Sequence, residues 1–554
     1  MNPSTALARV LVDELVRGGV EHAVLAPGSR SAPVALALAA EGRLALHVRI
    51  DERSAGFLAL GLVKATAGPV PVLCTSGTAA ANLHPAVLEA ALAGVPLVVL
   101  TADRPPELRA TGANQTIDQV GLYGAAVRFA VDVGVPEARV GSVGYWRSVT
   151  ARALAAATDP RDPGPVHLNL AFREPLVPDP DDSWSEPLDG RVDNQPWTAT
   201  HRPRPAATDL ADLIGGEIPE RGAVVVAEGA TDPRCAIRLA ESLGWPVLSE
   251  PTGNARIGEH AITGYPLLLA DAGFAAEVAP EVVLVVGKPG LSRSLLGWLG
   301  TARRQILVDP RAGWADPLRR ADAVVEVVPT ATTRDSTDWL RRWRDADRSA
   351  RTAIDRLLDT IAEPSEPRLA RDLHASIQDS ALLLAGSSRP IRDLEAYAAA
   401  RAGVTVLGNR GVSGIDGLVS TAVGAALGSG GPAYALLGDL AFLHDHNGLI
   451  LGPGETRPDL TIVVADNDGG GIFSMLPPAG FPDSFERVFG TPHGLDLAAV
   501  ATAAGWPATV VEHAADLPAA LADPGPRVVV VRTDRAATAD LHRRLQRAVS
   551  TALG

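Results

Sequence analysis

Two side chains with metal-binding chemistry, Asp439 and Asn467, stand 28 positions apart, each directly after a run of buried-type residues, Ala433 to Leu437 and Leu460 to Ala465. Open α/β sheets place ligands beyond the carboxyl ends of their strands, so both side chains are expected at such an edge. A carboxylate, an amide oxygen and the backbone carbonyl of Gly469 would form a hard-oxygen set. Mg²⁺ favours such a set, completing its octahedron with phosphate oxygens. Taken singly, Asp439 reads equally well as a helix cap and Asn467-Asp468-Gly469 as a tight turn. Glu52 is a second candidate, at the junction between the apolar run ending near Ile50 and a small-residue helix expected over Ser54 to Thr66. A lone acid in a first helical turn is already explained by the helix dipole.

The elements that must position these groups alternate along the whole chain. Strands are expected at Val20–Ala26, Ala45–Ile50, Val70–Cys74, Pro96–Thr101 and Val166–Leu170, with a first helix over Pro3–Gly18. Continuous apolar runs of this length suit a parallel sheet buried on both faces. The Pro- and Asp-rich residues 177–197 break the pattern and read as a connection. A second set follows at Ala223–Ala227, Pro246–Ser249, Val282–Val286, Gln305–Val308 and Ala323–Val328, with no catalytic-looking cluster. The charged residues 334–367 have helical spacing, and a third set comprises Ala381–Ala385, Thr405–Leu407, Ala433–Leu437, Leu460–Ala465 and Val528–Arg532. The fold class expected is α/β, three doubly wound domains with mostly parallel sheets.

Composition narrows the function classes. With 46% hydrophobic but only 4% aromatic residues, the cores must be built from Ala, Val and Leu, which favours alternating helix and strand layers. A net charge of −14 without a basic run argues against a nucleic-acid footprint. No apolar run approaches the roughly 18 residues of a membrane span, and the start lacks a signal peptide's basic region, so a cytoplasmic location is expected. Two cysteines, Cys74 and Cys235, fit no disulfide framework or metal spacing and read as small buried hydrophobes. Only Lys64 and Lys288 are lysines, so a single Arg carries little information until a motif places it.

Together, Gly438-Asp439-Leu440 and Asn467-Asp468-Gly469 resemble the metal and diphosphate signature of thiamine-diphosphate-dependent enzymes. They depart from it at Leu440, where Gly is common, and at Asp466, where Asn is usual. Seven segments resemble, within that class, the MenD family of menaquinone-biosynthesis synthases. They are LAPGSRSAP (25–33), ADRPPEL (102–108), TGANQTIDQ (111–119), GSSRPIRDL (386–394), GNRGVSGIDGLVSTA (408–422), NDGGGIFSMLP (467–477) and FGTPHGLD (489–496).

The resemblance implies thiamine diphosphate and Mg²⁺ or Mn²⁺ as cofactors. It implies a pyrimidine-binding domain over 1–180, a central domain over 198–345 and a diphosphate-binding domain over 368–554. Glu52 would hydrogen-bond the pyrimidine nitrogen, Ile415 would back the bent cofactor, and Asp439, Asn467 and Gly469 would hold the metal. Gly438, Leu440, Ser388, Ile472 and Phe473 would complete the cofactor's surroundings. The substrates implied are 2-oxoglutarate, which loses carbon dioxide, and isochorismate, to which the succinyl carbanion adds in a 1,4 sense to give SEPHCHC.

Substrate groups fall by resemblance on Ser29, Arg30, Arg104, Asn114, Gln115, Arg293, Ser388, Arg392 and Arg410, with Ile472, Phe473 and Leu476 as an apolar wall. Glu52, Ser29, Arg30, Ser388, Arg392 and Arg410 are the catalytic set. The composition is chemically apt, because both substrates are dicarboxylates and the Arg fork binds a carboxylate through two hydrogen bonds. Sites in this class lie between subunits, which implies a homodimer or homotetramer. His444 and His446 read as helix-surface groups or as groups supporting the residues that line the site. The competing readings are another thiamine-diphosphate 2-oxoacid decarboxylase or an acetohydroxyacid synthase, a silent metabolite-binding regulator, and a nicotinamide oxidoreductase. No G-x-G-x-x-G stands where the last would need one.

Overall fold

The computed structural model describes every residue except 180–183, 185, 204, 312 and 334–337. Part of the expected connection over 177–197 and the first four residues of the charged stretch therefore lie outside the described residues.

The first sheet comprises β1 (His22–Leu25), β2 (Ala45–Val48), β3 (Val70–Cys74), β4 (Leu97–Asp103), β5 (Phe129–Asp132) and β6 (Val166–Ala171), in the order β2-β1-β3-β4-β6-β5. The second has β7 (Gly222–Val226), β8 (Val247–Ser249), β9 (Val282–Val286), β10 (Arg304–Val308) and β11 (Ala323–Val325), ordered β11-β10-β9-β7-β8. The third has β12 (Ala381–Ala385), β13 (Val404–Leu407), β14 (Ala433–Gly438), β15 (Leu460–Asp466), β16 (Ala508–Val511) and β17 (Arg527–Arg532), ordered β13-β12-β14-β15-β17-β16. Neighbouring strands pair in parallel in each sheet, as at β3–β4, β7–β9 and β14–β15. The first and third sheets thus repeat one strand order, and in both the winding reverses beside the first strand. That is where an open α/β sheet leaves its ligand crevice.

Central strands β3, β4, β7 and β9 are buried at every residue, which is why they read as unbroken apolar runs. Two edge strands, β5 and β16, were not expected from the sequence. Each has four residues and is only partly buried, so neither carries the apolar run that marks its neighbours.

By internal packing the chain forms two compact units. One comprises Met1–Pro203, Asn409–Gly430 and Asp445–Pro458, and the other holds the remaining described residues. The second and third sheets share a unit because a common core joins them. Trp343 of the helix Asp338–Asp359 and Leu541, Leu545 and Val549 of the helix Arg535–Leu553 lie in one buried cluster with Val283 and Val285 of β9. The described part of the Pro-rich connection is anchored to the first unit: Trp184 stacks on Trp146, and the Trp197 amide donates to the Glu14 carboxylate. Cys74 is buried as expected, but Cys235 is not. It lies on the polar side of the helix Pro233–Leu243, whose apolar side is Ala236, Leu239, Ala240 and Leu243, and its thiol donates to Asp232.

Within the first unit, the helix Leu418–Ser429 lies directly against the helix Glu52–Thr66. Glycines permit this approach: a Cβ on Gly424 would stand 2.0 Å from the Leu58 carbonyl oxygen, and one on Gly61 2.1 Å from that of Thr421. Gly424→Val must push the helices apart, and overpacking of this kind costs about 3 kcal/mol. Calorimetry should show the melting temperature falling by roughly 5 °C or more.

Asp13 of the helix Pro3–Arg17 is partly buried, which raises its carboxyl pKa. Hydrogen bonds from Arg43, Arg17 and Arg147 outweigh this and bring it down to about 2. A carboxyl depressed on folding contributes stability above its unfolded pKa, near 4, and loses that contribution as pH falls through about 2. Allowing for solvent screening, Asp13→Asn should lower unfolding free energy by about 1–2 kcal/mol at pH 7. Acid-titrated denaturation should show the difference closing towards pH 2.

Candidate active site

In the first unit, candidate residues converge at the carboxyl ends of β1 to β4. Glu52 opens the helix Glu52–Thr66, but Asp51 is its cap, accepting from the Arg53 amide at 2.9 Å and the Ser54 amide at 3.4 Å. Glu52 is therefore not needed for capping. Its carboxylate lies near the end of β3: burial first, and then the negative charge of Glu52, push the Cys74 thiol pKa up. The loop after Cys74 carries Ser76 and Gly77, and this loop gathers the next group.

Arg104, just past β4, donates to Ser76 Oγ at 3.2 Å and to the Asn114 carbonyl at 3.1 Å. Ser76 Oγ donates to the Gln115 carbonyl at 2.9 Å, and Gln115 Nε2 returns a bond to the Ser76 carbonyl at 3.1 Å. Gln115 sits at φ +54°. Behind this cluster, Gln119 accepts from the Gly77 amide and donates to Asn169, which donates to Asp103. Arg30 donates to the Phe172 carbonyl at 3.0 Å. Burial and then the like charge of Arg104 lower its pKa, with Glu174 and Asp103 opposing, so the two guanidinium groups are close enough to repel. Ser29 is exposed beside Arg30, and Arg410 and Ile415, half-buried, belong to the same unit.

In the second unit, β14 ends at Gly438, and Asp439 opens the helix Asp439–His444 with a side chain that is buried. Its Oδ2 accepts from the Gly469 amide at 2.8 Å and the Asn467 amide at 3.1 Å, and its Oδ1 from the Leu440 amide at 2.6 Å. Burial raises its pKa, opposed by the Gly469 and Leu440 amides. The turn after β15 puts Gly469 at φ +136°, where a Cβ would stand 2.0 Å from the Gly490 carbonyl oxygen, so only glycine fits. Asn467 donates through Nδ2 to Glu366 at 2.7 Å, while its Oδ1 is buried without a partner among the described residues. A buried acceptor left unpaired costs about 1–3 kcal/mol, and a hard cation in reach of Asp439 would relieve both this and the buried charge. The donor set therefore fits a divalent cation. The carbonyl of Gly469 accepts from the Gly471 amide and keeps its second lone pair.

Sequence reasoning missed three members of this unit's site. His493 places Nε2 3.5 Å from Asp439 and 3.7 Å from Asp466, and ligand atoms of the three residues lie within 4.8 Å of one another. The only signal was the 489–496 motif containing it. Asp466 drew notice only as a departure from a pattern, and Glu366 had no signal beyond a helix start. His444 and His446 are exposed, as expected.

A cavity of about 530 Å³ in the same unit brings together Arg293, Arg392, Ile472 and Leu476. Arg293, from a different sheet layer, thus shares walls with the third-sheet candidates. Arg392 donates to the Leu291 carbonyl. Phe473 turns towards Phe489, with ring centroids 5.6 Å apart. Ser388 precedes the helix Arg389–Tyr397 at φ +74°, a conformation that strains any residue with a Cβ. A further cavity of about 840 Å³ is lined in part by Asp466, Asn467 and His493.

Residues 5–122 match the thiamine pyrophosphate enzyme, N-terminal TPP binding domain, and residues 394–531 the corresponding C-terminal TPP binding domain. Among curated proteins, the 2-succinyl-5-enolpyruvyl-6-hydroxy-3-cyclohexene-1-carboxylate synthase of Thermobifida fusca (strain YX) is 58% identical over 100% of both chains. The chain belongs to this synthase family. The same-named protein of Saccharopolyspora erythraea is 52% identical over 100% of both chains, and that of Nocardia farcinica 44% over 98% of each. As a member of the synthase family the chain has the α/β layers and the paired thiamine pyrophosphate domains expected of it. Its N-terminal match contains Ser29, Arg30, Glu52, Arg104, Asn114 and Gln115, and its C-terminal match contains Asp439 and Asn467. Among the described residues, no helix is long and apolar enough to cross a membrane.

Proposed function

We propose that the chain joins 2-oxoglutarate to isochorismate with loss of carbon dioxide, forming SEPHCHC for menaquinone biosynthesis, with thiamine diphosphate and Mg²⁺ or Mn²⁺ as cofactors. The observation that carries this reading is the repeated strand order of the first and third sheets. At its carboxyl ends one sheet presents Glu52 with paired Arg30 and Arg104, and the other presents Asp439 with the unpartnered oxygen of Asn467. Thiamine diphosphate supplies a nucleophilic carbon and an electron sink for decarboxylation.

The chain's own residues do the rest. Asp439, Asn467 and Gly469 would hold the cation, and Gly438, Leu440 and Ser388 would adjoin the diphosphate. Glu52 holds and moves a proton at the pyrimidine nitrogen, and Ile415 with Ile472 and Phe473 packs against the cofactor. Arg30, Arg104, Arg293, Arg392 and Arg410 bind substrate carboxylates, orient them, and offset charge developing during the addition. Ser29, Asn114, Gln115 and Ser388 supply neutral hydrogen bonds, and Leu476 helps to exclude water.

The domain division proposed is 1–180 for the pyrimidine, 198–345 central and 368–554 for the diphosphate. The active assembly is a homodimer or homotetramer in the cytoplasm, with Glu52 of one subunit serving the metal group of the next. Ile50, 71% exposed two residues before Glu52, is an apolar side chain suited to such an interface.

Purified protein given both substrates should release carbon dioxide and form SEPHCHC only with thiamine diphosphate and a divalent cation. Release from pyruvate instead of 2-oxoglutarate would overturn the substrate assignment. Arg104→Lys keeps the charge but loses the fork that spans Ser76 and the Asn114 carbonyl. Steady-state kinetics should show KM for one of the two acids rising by about 10–100-fold, the worth of a charged hydrogen bond.

A further inference from the structure

We propose that Glu366 is the positioning residue that turns the amide oxygen of Asn467 towards the cation, an inference that rests on the metal site proposed above. Glu366 is the first residue of the helix Glu366–Ser376 and is buried, with 5% of its surface exposed. A helix dipole accounts for an acid at that position but not for burying it, since exposed acids gain the same attraction. Among the described residues its side chain accepts a single hydrogen bond, from Asn467 Nδ2 at 2.7 Å, across 101 positions of sequence.

The consequence lies in the chemistry of the primary amide. Its two ends differ: the nitrogen only donates and the oxygen only accepts. In its ionised form a carboxylate only accepts, so facing one end of the amide it selects the nitrogen and sends the oxygen the other way. Asn467 Oδ1 is indeed the end left without a partner among the described residues, and the backbone amide of the same residue bonds to Asp439. Without Glu366 the amide could rotate by half a turn and offer the cation two N–H groups. Gly471 adds a steric element: a Cβ there would stand 2.6 Å from Asn467 Nδ2, so the space that lets the nitrogen reach Glu366 depends on that glycine. Groups supporting a metal ligand in this way typically contribute about 10–100-fold in metal affinity.

The test is Mn²⁺ titration of the full-length protein with thiamine diphosphate present, free Mn²⁺ being read by electron paramagnetic resonance. Glu366→Gln keeps the shape but offers Asn467 either a donor or an acceptor, and should weaken Mn²⁺ binding by about 10–100-fold. Asn467→Asp presents an oxygen in either orientation, so in that background adding Glu366→Gln should bring no further loss of Mn²⁺ affinity, as coupling through one shared interaction requires. Wild-type Mn²⁺ affinity in Glu366→Gln, or a loss that persists undiminished in the Asn467→Asp background, would overturn the proposal. Asn467→Ala separates the two readings. If it too binds Mn²⁺ normally, the metal site itself is wrong. If it loses Mn²⁺ while Glu366→Gln does not, only the positioning role fails. Should Glu366→Gln fold poorly by circular dichroism, Glu366→Asp, which keeps the charge but withdraws it from Asn467, must show the same rescue by Asn467→Asp.

Discussion

Glu52→Gln should lower kcat by about 10²–10⁴-fold, the range that a positioned proton-transferring side chain contributes, while cofactor retention after desalting stays near that of the unaltered protein. Glutamine fills the same volume and can still hydrogen-bond a ring nitrogen, but it cannot give or take the proton. The structural context makes this a clean test. Helix capping falls to Asp51, which accepts from the Arg53 and Ser54 amides and from Asn447 Nδ2 at 3.0 Å. Loss of the Glu52 charge should therefore leave the helix start intact, and thermal stability should move by no more than about 0.5 kcal/mol, as for a substitution away from any cap or core contact. Wild-type turnover in this variant would leave Glu52 as an acid at a helix start and overturn its role in proton transfer.

How far the sequence discloses the fold depends on burial. Strands β3, β9 and β12 lie where their apolar runs predict, to the residue, because both faces of each are covered and nothing polar interrupts them. The edge strands β5 and β16 are hidden for the converse reason. The site divides similarly. Asp439 and Asn467 are legible because each follows a buried strand directly, where chain direction alone fixes the edge on which they emerge. Glu366 and His493 are not. Their roles arise from contacts to residues such as Asn467 and Asp439, between 25 and 101 positions away, and no local periodicity encodes such a pairing. The joining of the second and third sheets into one unit is obscured likewise. It depends on which face of the helix Arg535–Leu553 meets β9, whereas the apolar stripe of that helix shows only that some face is buried.

Asp439→Asn separates the two halves of the proposed chemistry. The carboxylate accepts three backbone N–H groups, from Leu440, Asn467 and Gly469, through both oxygens. An amide can present its oxygen to one side only, so its NH₂ must face at least one of those donors, and a buried polar group left unpaired costs about 1–3 kcal/mol. The larger effect is on charge. Burial already raises the Asp439 pKa, a sign that the carboxylate lacks a full counter-charge, and a bound cation would provide it. Without that carboxylate the cation loses its only anionic ligand of the proposed set. Metal assistance is worth several kcal/mol, and each 1.36 kcal/mol is a factor of ten, so turnover should fall by about 10³-fold or more. Thiamine diphosphate should be lost on desalting even with millimolar Mg²⁺ restored, read by near-ultraviolet circular dichroism. Glu52→Gln should keep the cofactor and lose the rate, whereas Asp439→Asn should lose both. The opposite pairing of outcomes would exchange the roles of the two acids and contradict the assignment of the cation to the third sheet.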